Sequence, residues 1–329
     1  MRSPEESGFD VYADLQIAVI VPCYNEAASV SKVVHDFRAA LPGATIYIYD
    51  NNSDDGTAEI AREAGAVVRS EPLPGKGNVV RRMFADVEAD IYVLVDGDDT
   101  YDAASVRTLI ERLESDILDM VSAVRVSVSD DSYRRGHRFG NFILTRIVTL
   151  IFGSRTTDLL SGYRVFSRRF VKSFPALTSG FEIETELTVH ALELRMPVAE
   201  IETPYSSRPS GSESNLRTIQ DGWRILRAIL LLTKAERPLY FFGLFFAILA
   251  ASSISLSWPL FVTFMETGLV PRFPTAILST GLMLLAFLSM VCGIVLDTVT
   301  RGRQELKRLH YLSIARHRQS DRQRSHATG

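Results

Sequence analysis

The sequence predicts an α/β protein: a mostly parallel sheet with helices on both faces, followed by a C-terminal two-helix transmembrane hairpin. Two observations predict the first part. Strand and helix signals alternate regularly from residue 16 on, and polar clusters follow successive apolar runs. A third predicts the hairpin: two uncharged apolar stretches, each long enough to cross a bilayer as a helix, lie close together near the C-terminus.

Taken in order, "IAVIVP" (17–22) reads as a buried strand, and "NEAASVSKVVHDFRAAL" as a helix capped near Asn25. "TIYIYD" is the next strand, ending at Asp50, and "NNSDDGTAEIAREAG" a turn feeding a helix stopped by Gly65. "AVVRS" is a short strand, "PLPGKGNVVRRMFADV" a glycine-rich loop and helix, and "DIYVLVD" a strand ending at Asp96. In sheets of this kind ligands bind beyond the carboxyl ends of the strands. The clusters "CYNE", "DNNSDDGT" and "DGDDTYD" all fall at such ends.

The last cluster holds Asp96, Asp98, Asp99 and Asp102. Like charges this close need a cation among them. Asp96 and Asp98, in D-x-D spacing, suit a hard divalent ion, Mg²⁺ or Mn²⁺, which keeps positions open for phosphate oxygens and neutralises a leaving diphosphate. Gly97 allows close backbone approach. Asp99 and Asp102 read as caps for a helix starting near Ala103. "PGKGN" sets Lys76 between two glycines before a helix, a cradle for diphosphate. "DGDDT" also fits the D-x-D-x-T nucleophile motif of haloacid-dehalogenase-like phosphatases. In those proteins it ends the first strand, whereas here three strands precede it.

Leu239–Val262 and Thr275–Leu296 are the two apolar stretches. Lys234 and Arg237 precede them, Arg301, Arg303, Lys307 and Arg308 follow, and Arg272 is the only basic residue of the connecting loop. This asymmetry places both ends and the catalytic domain in the cytoplasm of a two-span protein of the cell membrane. A buried core hairpin is the alternative. Leu216–Thr233 is amphipathic and reads as a helix on the membrane surface or in a soluble core. The basic tail reads as a lipid-held helix or a solvated end. The predicted organisation is therefore a polar extension (1–15), a catalytic domain (16–215), a juxtamembrane helix (216–235), the spans (239–298) and the tail (299–329).

Net charge is only −3, so the chain does not read as a nucleic-acid binder. Cys23 and Cys292 suggest no disulfide and a reducing compartment. The N-terminal segment has no apolar core and is not expected to be a signal peptide. The six histidines show no metal-ligand spacing.

"VPCYNEAASV", "YDNNSDDGT", "GKGN", "DGDDTYD", "DLLSGYRVFSRRF" and "RPSGSESNLRTIQDGWRIL" occur in this order. Over residues 16–235 the chain resembles the family 2 glycosyltransferases with a GT-A, Rossmann-like fold, and most of all the dolichyl-phosphate-mannose-synthase-like polyprenyl-phosphate glycosyltransferases of bacteria. The resemblance implies that Pro22, Tyr24 and Glu26 line the nucleotide, with Asp50 and Asn51 at the base; many members have a second Asp at the latter position. It implies Lys76 and Gly97 near the nucleotide, and Asp96 and Asp98 on the diphosphate and metal. Thr100 stands where some relatives have a Gln metal ligand. Ser161–Arg164 resembles an acceptor-side element. The usual late Ser-Lys is Ser214-Asn215 here, with Arg208 or Arg217 as substitute cations.

The implied activity is inverting transfer of one sugar from a UDP- or GDP-sugar to polyprenyl phosphate. The implied partners are that donor, that lipid and the membrane, with possible homo-oligomers through the spans. A lipid phosphate needs cations rather than a base, because it is already mostly dianionic (second pKa ~6). Arg125, Arg134, Arg135 and Arg138 are the candidates, Arg125 because it ends a strand with no acidic neighbour in sequence. Phe139, Phe142, Ile143, Ile147 and Ile151 share a helical face for bilayer or core. Glu182, Glu184 and Glu186 offer a sugar contact or a helix cap. A membrane-tethered nucleotide-sugar-binding protein without turnover is the second functional reading.

Overall fold

The computed structural model describes residues 14–127, 149, 157–208 and 218–317. It divides into two units. One comprises the chain up to Arg227 together with the residues from Lys307 on, and the other is Ala228–Leu306.

The first unit is built on seven strands: β1 (Ile17–Cys23), β2 (Thr45–Asp50), β3 (Val67–Ser70), β4 (Ile91–Leu94), β5 (Met120–Ser127), β6 (Arg164–Ser167) and β7 (Val198–Tyr205). Their order across the sheet is β3-β2-β1-β4-β6-β5-β7. β1 pairs in parallel with both β2 and β4, and β2–β3 and β5–β7 are parallel as well. Only β6 runs antiparallel, between β4 and β5. Its four residues are all buried, so no alternation betrays a strand in the sequence.

Helices cover both faces, as the strand–helix alternation predicts. Successive residues of β1 point to opposite sides. Val19 and Val21 join one core with Val33, Val34 and Phe37 of α1 (Val30–Ala40). Ala18 and Ile20 join the other with Val79, Val80 and Met83, which lie on α3 (Lys76–Asp86). α2 (Thr57–Glu63) follows β2 and ends before Gly65, whose φ of +87° suits a residue without Cβ. α4 (Val106–Ser115) buries Val106, Leu109, Ile110 and Leu113 at helical spacing. α5 (Arg168–Ser173) and α6 (Ile183–Glu193) complete the second face.

Helix α1 starts at Val30, not near Asn25. Asn25 has φ +55°, its N–H donates to Ser53 Oγ (2.9 Å), and its Oδ1 accepts from Asp54 N (3.0 Å). Its side chain ties the end of β1 to the loop after β2 instead of capping a helix. Asp102 does cap, accepting from Ala104 N and Ser105 N; Asp99 instead pairs with Lys32 at 2.8 Å.

Residues 307–317 also belong to this unit. The Tyr311 hydroxyl donates to Asp119 Oδ2 (2.5 Å), and the Arg169 guanidinium lies 5.0 Å from the Tyr311 ring centre. Lys307 reaches both oxygens of Glu193 (2.9 Å), and Arg316 donates to the carbonyls of Leu113 and Leu118. In the described part of the basic tail, Lys307, Tyr311 and Arg316 are thus engaged by protein, while Arg301, Arg308, Leu306, Leu309 and Leu312 are exposed.

The second unit holds α8 (Pro238–Thr267) and most of α9 (Phe273–Ser313), preceded by the end of α7 (Thr218–Glu236). α8 and α9 pack antiparallel through small residues. Ser253 Oγ donates to Ser279 O (2.6 Å), Ser289 Oγ to Phe242 O (3.0 Å), and Gly293 lies against Phe242. Their large apolar side chains, among them Leu244, Ile248, Phe261, Leu284 and Leu288, are exposed. A soluble core helix would bury them, so their exposure favours membrane association over a core hairpin. On α7, Ile229 and Thr233 are buried while Trp223, Leu230 and Leu231 are exposed.

Candidate active site

Because β2, β1 and β4 run parallel side by side, their carboxyl ends deliver three polar loops to one edge of the sheet. Backbone and hydroxyl contacts lock these loops together. Asn51 N donates to Cys23 O (2.9 Å), Glu26 N to Thr57 Oγ1 (2.9 Å) and Ser29 Oγ to Gly97 O (2.7 Å).

Asp98 is buried. Its Oδ1 accepts from Thr100 N (3.2 Å) and Thr100 Oγ1 (2.6 Å), and its Oδ2 lies 2.7 Å from Arg208 Nη2. Burial, and then the charge of Asp96, push the Asp98 carboxyl above its ordinary range, with Arg208 opposing them. Thr100 is therefore the residue that orients Asp98. Lys76 Nζ bridges Asp96 Oδ1 and Glu184 Oε1, each at 2.5 Å. Burial works against the Lys76 charge, but Asp96 and Glu184 outweigh it and raise its pKa. Glu26 joins the network through Arg208 (3.4 Å).

Two internal cations, Lys76 and Arg208, thus stand among the buried carboxylates Glu26, Asp50, Asp98 and Glu184 and the half-buried Asp96. Counted over these side chains alone, carboxylates outnumber cations. Among the described residues no group of three His, Cys, Asp or Glu side chains is placed to hold a metal. The donor set is a two-carboxylate seat, which suits Mg²⁺ or Mn²⁺ completed by phosphate oxygens and water. Asp50 adds a second sign of an absent partner: its Oδ1 is buried with no hydrogen bond among the described residues.

Several expectations are corrected. Gly75 and Gly77 do not form a phosphate cradle: a Cβ on either would lie 2.3 Å from the carbonyl oxygens of Ser179 and Thr178 respectively. These glycines accommodate a crossing backbone, and only Lys76 faces the carboxylates. Gly97 makes a close approach, but to Cys23 Sγ, 2.6 Å from where its Cβ would be. Asn51 is not positioned for the base, because its amide is spent. Nδ2 donates to Glu71 O (2.7 Å) and Leu73 O (2.8 Å), and Oδ1 accepts from Gly75 N (2.7 Å). Ser161 does not face an acceptor; it is fully buried and donates to Ala123 O (2.6 Å). Arg125 does not lack an acidic partner: Asp158 holds it through Nε and Nη2, both at 2.7 Å.

Pro22 is half-buried and Tyr24 is 46% exposed at the same edge. Arg134, Arg135, Arg138, the apolar face from Phe139 to Ile151, Ser214, Asn215 and Arg217 lie outside the described residues.

Sequence reasoning missed three relationships. Glu184 is singled out from its neighbours only by the fold: Glu186 is committed to Leu177 N, Thr178 N and Thr178 Oγ1, while Glu184 reaches Lys76 and leaves Oε2 without a partner among the described residues. Gly162 abuts Asp96, whose Oδ2 lies 2.1 Å from where a Cβ would be. That contact explains a glycine in "SGYR" better than an acceptor does. Asp158 as the partner of Arg125 had no signal at a separation of 33 residues.

Comparison with known proteins bears on the family and the fold. The family described as Glycosyl transferase family 2 matches residues 18–174. Protein RfbJ of Shigella flexneri is 56% identical over 129 residues, covering 39% of this chain and 100% of that protein. Glycosyltransferase AglJ of Haloferax volcanii is 29% identical over 299 residues, 90% of this chain and 98% of that one. The dolichyl-phosphate hexose transferase of the same organism is 27% identical over 221 residues, 67% and 95% of the two chains. Among solved structures, Mycobacterium tuberculosis glucosyl-3-phosphoglycerate synthase, in complex with Mn²⁺, uridine diphosphate and glucosyl-3-phosphoglycerate, is similar with a TM-score of 0.58 at 21% identity. That likeness covers 71% of this chain and 85% of the other, and it is one of fold. With its GT-A sheet and its D-x-D edge, the chain belongs to glycosyl transferase family 2 and is a glycosyltransferase, not a D-x-D-x-T phosphatase.

Proposed function

We propose that the protein moves one sugar from a nucleotide-sugar to a polyprenyl phosphate at a membrane surface, using Mg²⁺ or Mn²⁺ at Asp96 and Asp98. The observation that carries this reading is the carboxylate edge itself: both D-x-D side chains are already matched to cations, Lys76 and Arg208. Support for a lipid acceptor comes from the likeness to a dolichyl-phosphate hexose transferase and from two long apolar helices with exposed side chains.

When bound, the divalent ion would hold the donor diphosphate and spread the charge of the leaving nucleoside diphosphate. The chain's own residues do the rest. Asp50 Oδ1 accepts from the base or ribose, and Glu184 Oε2 accepts from a sugar hydroxyl. Lys76 keeps Asp96 and Glu184 at fixed separation. An oxygen of the lipid phosphate attacks the anomeric carbon as the bond to the diphosphate breaks, with inversion. No general base is needed, because that oxygen is already ionised at neutral pH. Arg208, with Arg134, Arg135 and Arg138, brings the anion to the donor; Arg125, engaged by Asp158, orders the end of β5.

Both ends of the hairpin and the catalytic unit lie on the cytoplasmic side in this reading. Basic residues flank the spans there. The packing of residues 307–317 on the first unit supports an even number of crossings.

The test is to incubate membranes bearing the protein with radiolabelled nucleotide-sugars and polyprenyl phosphate. Label should enter lipid with wild type and not with Asp98→Ala. Label that stays with the protein, or is released into water, would overturn the acceptor.

A further inference from the structure

Away from the carboxylate edge, the second unit contains a cleft of about 470 Å³, in the size range of small-ligand sites. Leu231, Leu296 and Val299 form its apolar side, and Lys234, Thr300 and Arg303 its polar side. We propose that this cleft binds the headgroup of a membrane phospholipid carrying a single negative charge on a phosphodiester, with the first acyl carbons against the apolar side. The proposal rests on the membrane placement argued above.

Position is the first argument. Lys234 lies just before α8 begins at Pro238, and Val299 and Arg303 lie just after the second apolar stretch ends at Leu296. Because α8 and α9 pack antiparallel, these segments belong to the same end of the hairpin. That end is where a lipid phosphate stands and where basic side chains contact it.

The exposure of the apolar side is the second. Leu231, Leu296 and Val299 are 55%, 38% and 63% exposed. Such a surface is costly in water and favourable against acyl carbons.

Charge decides the ligand. Arg303 donates to Ala235 O (2.7 Å) and pairs with Glu236 Oε1 (2.9 Å), and Glu236 is buried. Thr300 Oγ1 donates to the same carbonyl (3.1 Å). Arg303 is thus held rigid with its charge offset by Glu236. Lys234 is exposed and has no ion pair among the described residues. Counted over Lys234, Arg303 and Glu236 alone, one positive charge remains in excess. A phosphodiester, with one negative charge, matches it; a phosphate monoester, mostly doubly charged at neutral pH, does not. The cleft therefore fits a structural phospholipid rather than the acceptor.

The experiment uses the full chain, delipidated in a non-ionic detergent and titrated with phosphatidylglycerol, phosphatidylcholine or undecaprenyl phosphate, with bound lipid counted by native mass spectrometry. Phosphatidylglycerol should bind about fivefold more tightly than phosphatidylcholine, the effect expected of one lysine at a lipid surface. Lys234→Gln should erase that preference. Val299→Trp, which fills the cleft without touching its charges, should abolish retention while leaving nucleoside diphosphate binding intact. Equal retention of the two phospholipids, a preference that survives Lys234→Gln, or displacement of phosphatidylglycerol by undecaprenyl phosphate would each overturn the proposal. Flotation with vesicles separates the two failures. Protein that inserts without lipid preference refutes the cleft alone; protein that does not insert refutes the membrane placement beneath it.

Discussion

Arg208 Nη2 lies 2.7 Å from Asp98 Oδ2, so a residue from beyond the end of β7 pairs with the second D-x-D carboxylate, one of the two proposed to hold a metal ion. Lys76 does the same for Asp96. The acidic edge is held together in this structure by cations from within the chain, and any external cation competes with one of them.

Arg208→Gln should therefore tighten binding of Mn²⁺ alone several-fold, because Asp98 no longer has to release a guanidinium. Sugar transfer should fall at the same time, because in the proposed function the residue also serves the acceptor phosphate. Calorimetric titration with MnCl₂ reads the first effect and the labelled-lipid assay the second. Mn²⁺ affinity equal to wild type would show that Arg208 is not the competitor.

Asn51→Asp should destabilise this protein. A carboxylate cannot donate to Glu71 O and Leu73 O, and it would face both carbonyl oxygens. The expected loss is about 1–3 kcal/mol, seen as an earlier denaturant midpoint. A midpoint at or above that of wild type would mean that the loop before Gly75 rearranges without cost.

Tyr311→Phe tests the tail. Asp119 is fully buried and takes hydrogen bonds from Ser167 Oγ (2.6 Å) and the Tyr311 hydroxyl. Removing one donor from a buried carboxylate should cost about 1–3 kcal/mol and lower the melting temperature of the catalytic unit, although the substitution lies 192 residues from Asp119 in sequence. No change in melting would mean that the tail does not hold Asp119 in solution.

His190 supplies a pH dependence. Burial, with a smaller push from the Lys307 charge, lowers its pKa from 6.5 to about 3. The unfolded chain then takes up a proton that the folded chain refuses, so stability is full above about pH 6.5 and falls as pH drops toward 3. Between pH 7 and pH 5 this one group should cost about 2 kcal/mol. Denaturant midpoints at the two pH values should converge for His190→Gln relative to wild type; an unchanged difference would assign the acid sensitivity to other groups.

The parallel core and the position of its binding edge were legible in the residues. Apolar runs alternating with amphipathic ones define β1, β2, β4 and the helices between them, and the polar clusters at their ends had nowhere to go but one edge. The two apolar helices were equally legible, since composition and length suffice. Asp96 and Asp98 could be named as a pair because their spacing and charge are local properties.

Tertiary structure alone decided which groups meet across long separations. It inserted β6 antiparallel in the sheet, gave Arg125 to Asp158, spent the Asn51 amide on a loop, buried Ser161, and brought Glu184 rather than Glu186 to Lys76. It also returned Tyr311 to Asp119. The physical reason is common to these cases. Strand and helix signals arise from periodicities within about ten residues, whereas the partner of a buried polar group is whichever group chain packing brings within hydrogen-bond reach, and no local pattern encodes that choice.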